Sequence, residues 1–115
     1  MAMLIVVRDP DFRRHICDSL IVSRLVKNEA DIDEASSFEE AVSLTHQKYE
    51  AVILDRELSR IEQGVYDKMF SGIRYIIAFN RRPENEEEYD DNKPHHILRP
   101  ITGSRLRAKL RHRLT

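Results

Sequence analysis

Residues 51–54, Ala-Val-Ile-Leu, form an unbroken apolar run that stops on the carboxylate of Asp55. A strand with one wet face alternates apolar and polar residues. This run does not alternate, so both of its faces are covered. Such strands belong to parallel sheets with helices on each side. In open parallel sheets, chemistry sits just beyond the carboxyl ends of the strands. Asp55 is therefore the first candidate functional group, and the rest of the chain reads as scaffolding around it.

Met3-Leu4-Ile5-Val6-Val7 is a second run of this kind, ending at Arg8-Asp9-Pro10. Asp9 suits a helix N-cap and Pro10 the first helical turn. Phe12, Ile16, Leu20 and Leu25, at mostly four-residue spacing, predict a helix closed by Lys27-Asn28-Glu29. Residues 30–36 predict a weak strand around Ile32 and Ala35. Ser36-Ser37 followed by Glu39-Glu40 resembles a capping box, opening a helix that runs to about Lys48. Beyond Asp55, Gly64 precedes a short helical pattern through Val65, Met69 and Phe70. Residues 73–79 predict a buried fourth strand. The next stretch, 80–93, is strongly polar, with Pro83 suited to start a short helix. His96-Ile97-Leu98 predicts a fifth strand, stopped by Arg99-Pro100. Residues 101–115 predict the last helix, with Leu106, Leu110 and Leu114 as its stripe and Thr102 or Ser104 as its cap. Strand and helix alternate throughout. That pattern implies an α/β three-layer sandwich on a five-stranded parallel sheet, in one domain over residues 1–115.

A chain of 115 residues supports a single core. The net charge of −1 argues against a general nucleic-acid or membrane binder. The single cysteine, Cys17, forms no internal disulfide and fits a reducing, cytoplasmic compartment, most simply as a core residue. The apolar start lacks a basic leader, so no signal peptide is expected, and no run is long enough to span a membrane. The end at Leu114-Thr115, where the last helix should finish, suggests a segment cut from a longer chain. The histidines, His15, His46, His95, His96 and His112, have no cysteine or carboxylate at metal-ligand spacing, so a zinc site is not expected. The three glycines form no phosphate-cradling loop.

Four landmarks, in order, resemble the receiver domain of two-component response regulators, a CheY-like family with a flavodoxin-like (βα)5 fold. Residues 4–14 look like its first strand and acidic turn. Residues 49–55 look like its phosphoacceptor strand, with Gly64 in the loop that follows. Ile76-Ile77-Ala78-Phe79-Asn80 looks like its fourth strand. Ile97-Leu98-Arg99-Pro100-Ile101 looks like its Lys-Pro turn. The resemblance implies that Asp55 is the phosphoacceptor for a histidine kinase. It also implies that carboxylates beside Asp55 hold Mg²⁺, and that a hydroxyl and a lysine read the aspartyl phosphate.

This chain departs from that pattern at several positions. The acidic pair falls at Val7 and Arg8, leaving Asp9 as the acidic residue nearest the pocket. Asn80 replaces the switch hydroxyl and Arg81 the small residue after it. Arg99 replaces the lysine, His96 the switch aromatic, and Ser59 the usual proline. Arg8, Asp9, Asn80 and Arg99 are thus the expected pocket, with Asp9 and Asp55 its remaining metal ligands. A guanidinium beside Asp55 pairs with it and opposes a divalent cation. Weak or absent Mg²⁺ binding is expected, with Asp55 ion-paired to Arg8 or Arg99. The chain so read is an atypical pseudo-receiver, a non-enzymatic signalling module.

Glu84, Glu86, Glu87, Glu88, Asp90 and Asp91 form an acidic block. Arg105, Arg107, Lys109, Arg111 and Arg113 form a basic one. In the family these regions flank the face made by helix four, strand five and helix five, which commonly serves dimers and docking. Glu87, Glu88, Asp91, Arg105, Arg107 and Lys109 are therefore the expected interface. Its partner would be a second copy, a histidine kinase or an output domain. Two solvated faces are the plainer reading of such runs. The competing class is a small flavodoxin-like enzyme or cofactor binder. It needs a phosphate-binding loop after Val7, and Arg8-Asp9-Pro10-Asp11 is acidic and glycine-free.

Overall fold

The computed structural model describes residues 2–44, 49–56, 73–81 and 96–111. Within them lie five strands: β1 (Met3–Val6), β2 (Ile32–Ala35), β3 (Ala51–Asp55), β4 (Arg74–Phe79) and β5 (His96–Leu98). They also hold helices α1 (Pro10–Val22), α2 (Phe38–Ser43) and α3 (Gly103–Arg111), and a 3₁₀ turn at Glu29–Asp31. All strand pairs are parallel, in the order β2-β1-β3-β4-β5. That order is the one found in flavodoxin-like doubly wound sheets. The chain leaves β1 toward β2 on one side, then returns to place β3 on the other. The crevice between the carboxyl ends of β1 and β3 is therefore the switch point, and Arg8 and Asp55 lie at it.

The pleat sorts the core into two faces. Met3, Ile5, Ala51, Ile53, Ile76 and Ala78 share one apolar cluster with Phe12, Ile16 and Leu20 of α1 and Leu106 and Leu110 of α3. Leu4, Val6, Val52 and Leu54 point the other way, into a cluster with Ala41 of α2. This is why the β1 and β3 runs are apolar at every position. The α1 stripe recurs every four residues because one helix face meets the sheet. Each such side chain, fully buried, contributes about 1.5–3 kcal/mol.

The helix ends have local causes. Asp9 caps α1, its Oδ1 accepting from the N–H groups of Asp11 (2.9 Å) and Phe12 (3.5 Å). The helix was expected to run to residues 27–29 but stops at Val22. Arg24 takes a left-handed φ of 61°, Leu25 N–H donates to the Leu20 carbonyl, and Arg24 N–H donates to that of Ile21. This is a Schellman turn with arginine where glycine is usual. It frees Val26 to enter the core. Ser37 caps α2 and accepts from Glu40 N–H, while Ser36 donates to the Glu40 carboxylate. The described helix ends at Ser43, short of Lys48. Thr102 rather than Ser104 caps α3, accepting from Arg105 N–H at 3.3 Å. The expected helix around Val65, Met69 and Phe70, Gly64 and Ser59 before it, the 82–93 stretch and Leu114 lie outside the described residues.

Candidate functional site

Asp55 ends β3 and is only 7% exposed. Its Oδ2 accepts from the backbone N–H of Arg8 at 3.3 Å. In place of the expected ion pair, Arg8 meets Asp55 through its main chain, while its side chain is exposed. Arg99 does not reach Asp55 either. Its Nη1 donates to Asn80 Oδ1 at 2.8 Å, and its guanidinium lies 5.8 Å from the centroid of the Phe12 ring. The expected ion pair of Asp55 with Arg8 or Arg99 is therefore corrected. Among the described residues neither guanidinium pairs with Asp55. The physical reason is reach and competition. The register puts Arg8 just past the strand end, where its side chain points to water, and Asn80 offers Arg99 a nearer acceptor.

Asn80, Arg99 and Asp9 do come together, without the Arg8 side chain. Asn80 Nδ2 donates to Asp9 Oδ2 at 3.5 Å. With Asp9 also capping α1, a polar chain runs from β5 through β4 to the helix: Arg99, Asn80, Asp9, then the Asp11 and Phe12 amides. Arg105 extends it, its Nη1 donating to the carbonyls of Leu98 (2.6 Å) and Pro100 (2.7 Å), on either side of Arg99. The Arg99–Pro100 peptide bond is cis. Phe79 packs against His96, ring centroids 5.1 Å apart, and the Arg56 guanidinium sits 5.8 Å from the Phe79 centroid.

The residues present do not fit the Mg²⁺ that the family resemblance implies. Asp9 engages Oδ1 with the helix N-terminus and Oδ2 with Asn80, whose amide presents N–H to it. No group of three or more acidic, His or Cys residues able to hold a metal occurs among the described residues. Magnesium coordination needs near-octahedral oxygen ligation, and donors already aimed at Asp9 work against it.

Three further groups were not flagged by sequence pattern. Arg13 donates to the Val7 carbonyl (2.8 Å) and to Glu34 (3.1 Å), tying α1 to β1 and β2. His15 Nε2 accepts from the Ile101 N–H at 3.0 Å, tying α1 to the segment that leads into α3. Tyr49 donates to Asp33 at 2.7 Å, and burial with that carboxylate holds its phenol above the ordinary range. Cys17 lies in the core as expected. Burial first, then the Glu34 carboxylate, pushes its thiol up to about 12. A cavity of about 270 Å³, lined by His15, Asp18, Ser19, Val22, Ser23 and Gly103, opens beside α1 and α3 rather than at Asp55.

Of the expected interface, Glu87, Glu88 and Asp91 lie outside the described residues. Arg107 donates to the Ser23 carbonyl, and Arg105 is engaged as above, so both basic groups bond within the chain. No helix among the described residues is long and apolar enough to cross a membrane. Comparison with protein-family models, with curated proteins and with solved structures finds no match.

Proposed function

We propose that the chain is a receiver-like signalling domain in a flavodoxin-like three-layer (βα)5 sandwich, working as a protein-interaction module without a phosphoryl switch. The observation that carries this reading is the Arg99–Asn80–Asp9 chain of hydrogen bonds beside Asp55. It occupies the carboxyl edge of the sheet with hydrogen bonds among the chain's own side chains, where a switching receiver needs free carboxylates for a metal and a mobile hydroxyl. In this reading Asp55 is a structural carboxylate that fixes the β1–α1 turn through the Arg8 amide. The partner is a protein of the signalling pathway, a histidine kinase or an output domain, bound regardless of phosphorylation. A flavodoxin-like cofactor binder is disfavoured by Asp9, whose carboxylate fills the α1 N-terminus where a cofactor phosphate would sit.

The test is incubation with acetyl phosphate, and separately with beryllofluoride, each with Mg²⁺, followed by intact mass and amide NMR spectra. The expected outcome is no phosphoryl adduct and no shift of the Arg8 or Asp55 amides. An adduct mapped to Asp55 overturns the reading.

A further inference from the structure

Each of the four adjacent strands β1, β3, β4 and β5 is followed within two residues by an arginine: Arg8, Arg56, Arg81 and Arg99. The register aligns them. Val6 pairs with Leu54, Asp55 with Ala78 and Phe79 with Leu98. Arg8 and Arg56 therefore leave the sheet on one rung, Arg99 on the next and Arg81 one beyond. Three inter-strand steps of ~4.8 Å spread this row over about 14 Å. One end of it, Arg8 and Arg56, lies at the β1–β3 switch point, where open α/β sheets bind their ligands.

The four differ in their commitments. Arg99 holds Asn80 and Arg56 lies against Phe79. The Arg8 and Arg81 side chains are exposed, and among the described residues neither makes a hydrogen bond or ion pair. Among the described residues, the acids nearby do not cancel them. Asp9 takes the Asp11, Phe12 and Asn80 N–H groups, and Asp55 is buried against the Arg8 amide. Among the described residues at this end, Asp11 in the first turn of α1 is the exposed carboxylate that remains.

We propose that this arginine row docks an acidic peptide segment of a partner protein. The inference rests on the interaction-module reading and names the chemistry of its partner. The exposed guanidinia of Arg8, Arg81 and Arg99, in line with the half-buried Arg56, suit an extended run of carboxylates that pair with the exposed forks. A small anion would need cations that converge on one point, whereas this row spreads its guanidinia along four strand ends. Nucleic acid fits less well, because the chain carries a net charge of −1 and Asp11 stands beside the row.

The experiment is amide NMR titration of the whole chain with an oligoglutamate peptide at low salt, with an oligolysine peptide and a single-stranded oligonucleotide as the other arms. Oligoglutamate should shift the amides of residues 8, 56, 81 and 99, and added NaCl should weaken it. The double variant Arg8→Ser/Arg81→Ser removes two exposed side chains that hold no hydrogen bond or ion pair among the described residues, so its spectrum should otherwise match the parent. Its affinity should be roughly fivefold or more lower. Absence of shifts at these residues overturns the proposal, as does equal binding by the double variant or tighter binding of the oligonucleotide or of oligolysine. A phosphoryl adduct on Asp55 in the acetyl phosphate experiment would sink the broader reading instead, so the two failures are distinguishable.

Discussion

A carboxylate that accepts a backbone N–H is held differently from one that faces a guanidinium. The Arg8 amide cannot rotate away, so Asp55 fixes the path of the chain from β1 into α1. Position 8 could be read from the sequence as cationic, and the site residues Asp9, Asn80 and Arg99 were legible from strand ends. Which atom of Arg8 meets Asp55 was not, because main-chain donors leave no mark in residue identity. The Arg99–Asn80 bond was also hidden, since it joins residues 19 apart that only the β4–β5 register brings level. Cys17 carries a residue-scale prediction. Its thiol is held at about 12 against an ordinary 9.0. Below pH 9 both folded and unfolded chains keep the proton and nothing changes. Between pH 9 and 12 the unfolded chain releases it while the native chain does not. Stability therefore falls as pH rises through this window, by at most about 1.4 kcal/mol per unit. Denaturant midpoints across roughly pH 8–11 should fall less steeply for Cys17→Ala than for the parent. At about pH 8 the native thiol should resist iodoacetamide and react only in denaturant. Rapid alkylation of the native chain would refute its burial.

Helices α1 and α3 touch where the first ends and the second begins. A Cβ placed on Gly103 would lie 2.2 Å from Ser23 Cβ and 3.3 Å from Ser23 Cα. Ser23 is the C-cap of α1, and its carbonyl receives the Arg107 guanidinium. The close approach thus sets the seating of α3 on α1, and Leu106 and Leu110 reach the shared core because of it. Gly103→Ala should destabilise by about 1–3 kcal/mol through this overlap, although alanine is the better helix former. Ser23→Gly removes both the Cβ and the hydroxyl that collide, so the new methyl would then meet only the Ser23 main chain, 3.3 Å away. The double variant should therefore recover much of the loss. Urea denaturation of the four proteins forms a double-mutant cycle, and strict additivity would argue against the clash. At this scale the sequence was most legible in the strands. The β3 and β5 bounds follow from apolar runs cut off by Asp55 and Arg99. The end of α1 was misjudged because Arg24 gives no sign that it adopts a positive φ, a role usually marked by glycine.

Across the whole molecule the sheet acts as one core because its pleat aligns like residues from strand to strand. Ile5, Ile53 and Ile76 are opposite one another on β1, β3 and β4, all in the cluster that α1 and α3 cover. Ile53 is fully buried at the centre of this row. Truncating it to alanine leaves a void that strands paired on both sides cannot close. Ile53→Ala should cost about 2–5 kcal/mol, against a total of about 5–15 kcal/mol for a typical domain. In thermal terms the midpoint should drop by roughly 8–20 °C. Val22, at the last position of α1, is 82% exposed, and Val22→Ala should stay within about 0.5 kcal/mol. If the row of isoleucines joins both ends of the sheet into one cooperative unit, far-ultraviolet circular dichroism and tyrosine absorbance should report the same midpoint in the parent and in both variants. Separate midpoints in Ile53→Ala would mean that β1 and β4 retain structure without the residue between them. In that case the core is two half-sheets rather than one. A drop as large in Val22→Ala as in Ile53→Ala would show that the exposed end of α1, rather than the centre of the sheet, limits stability.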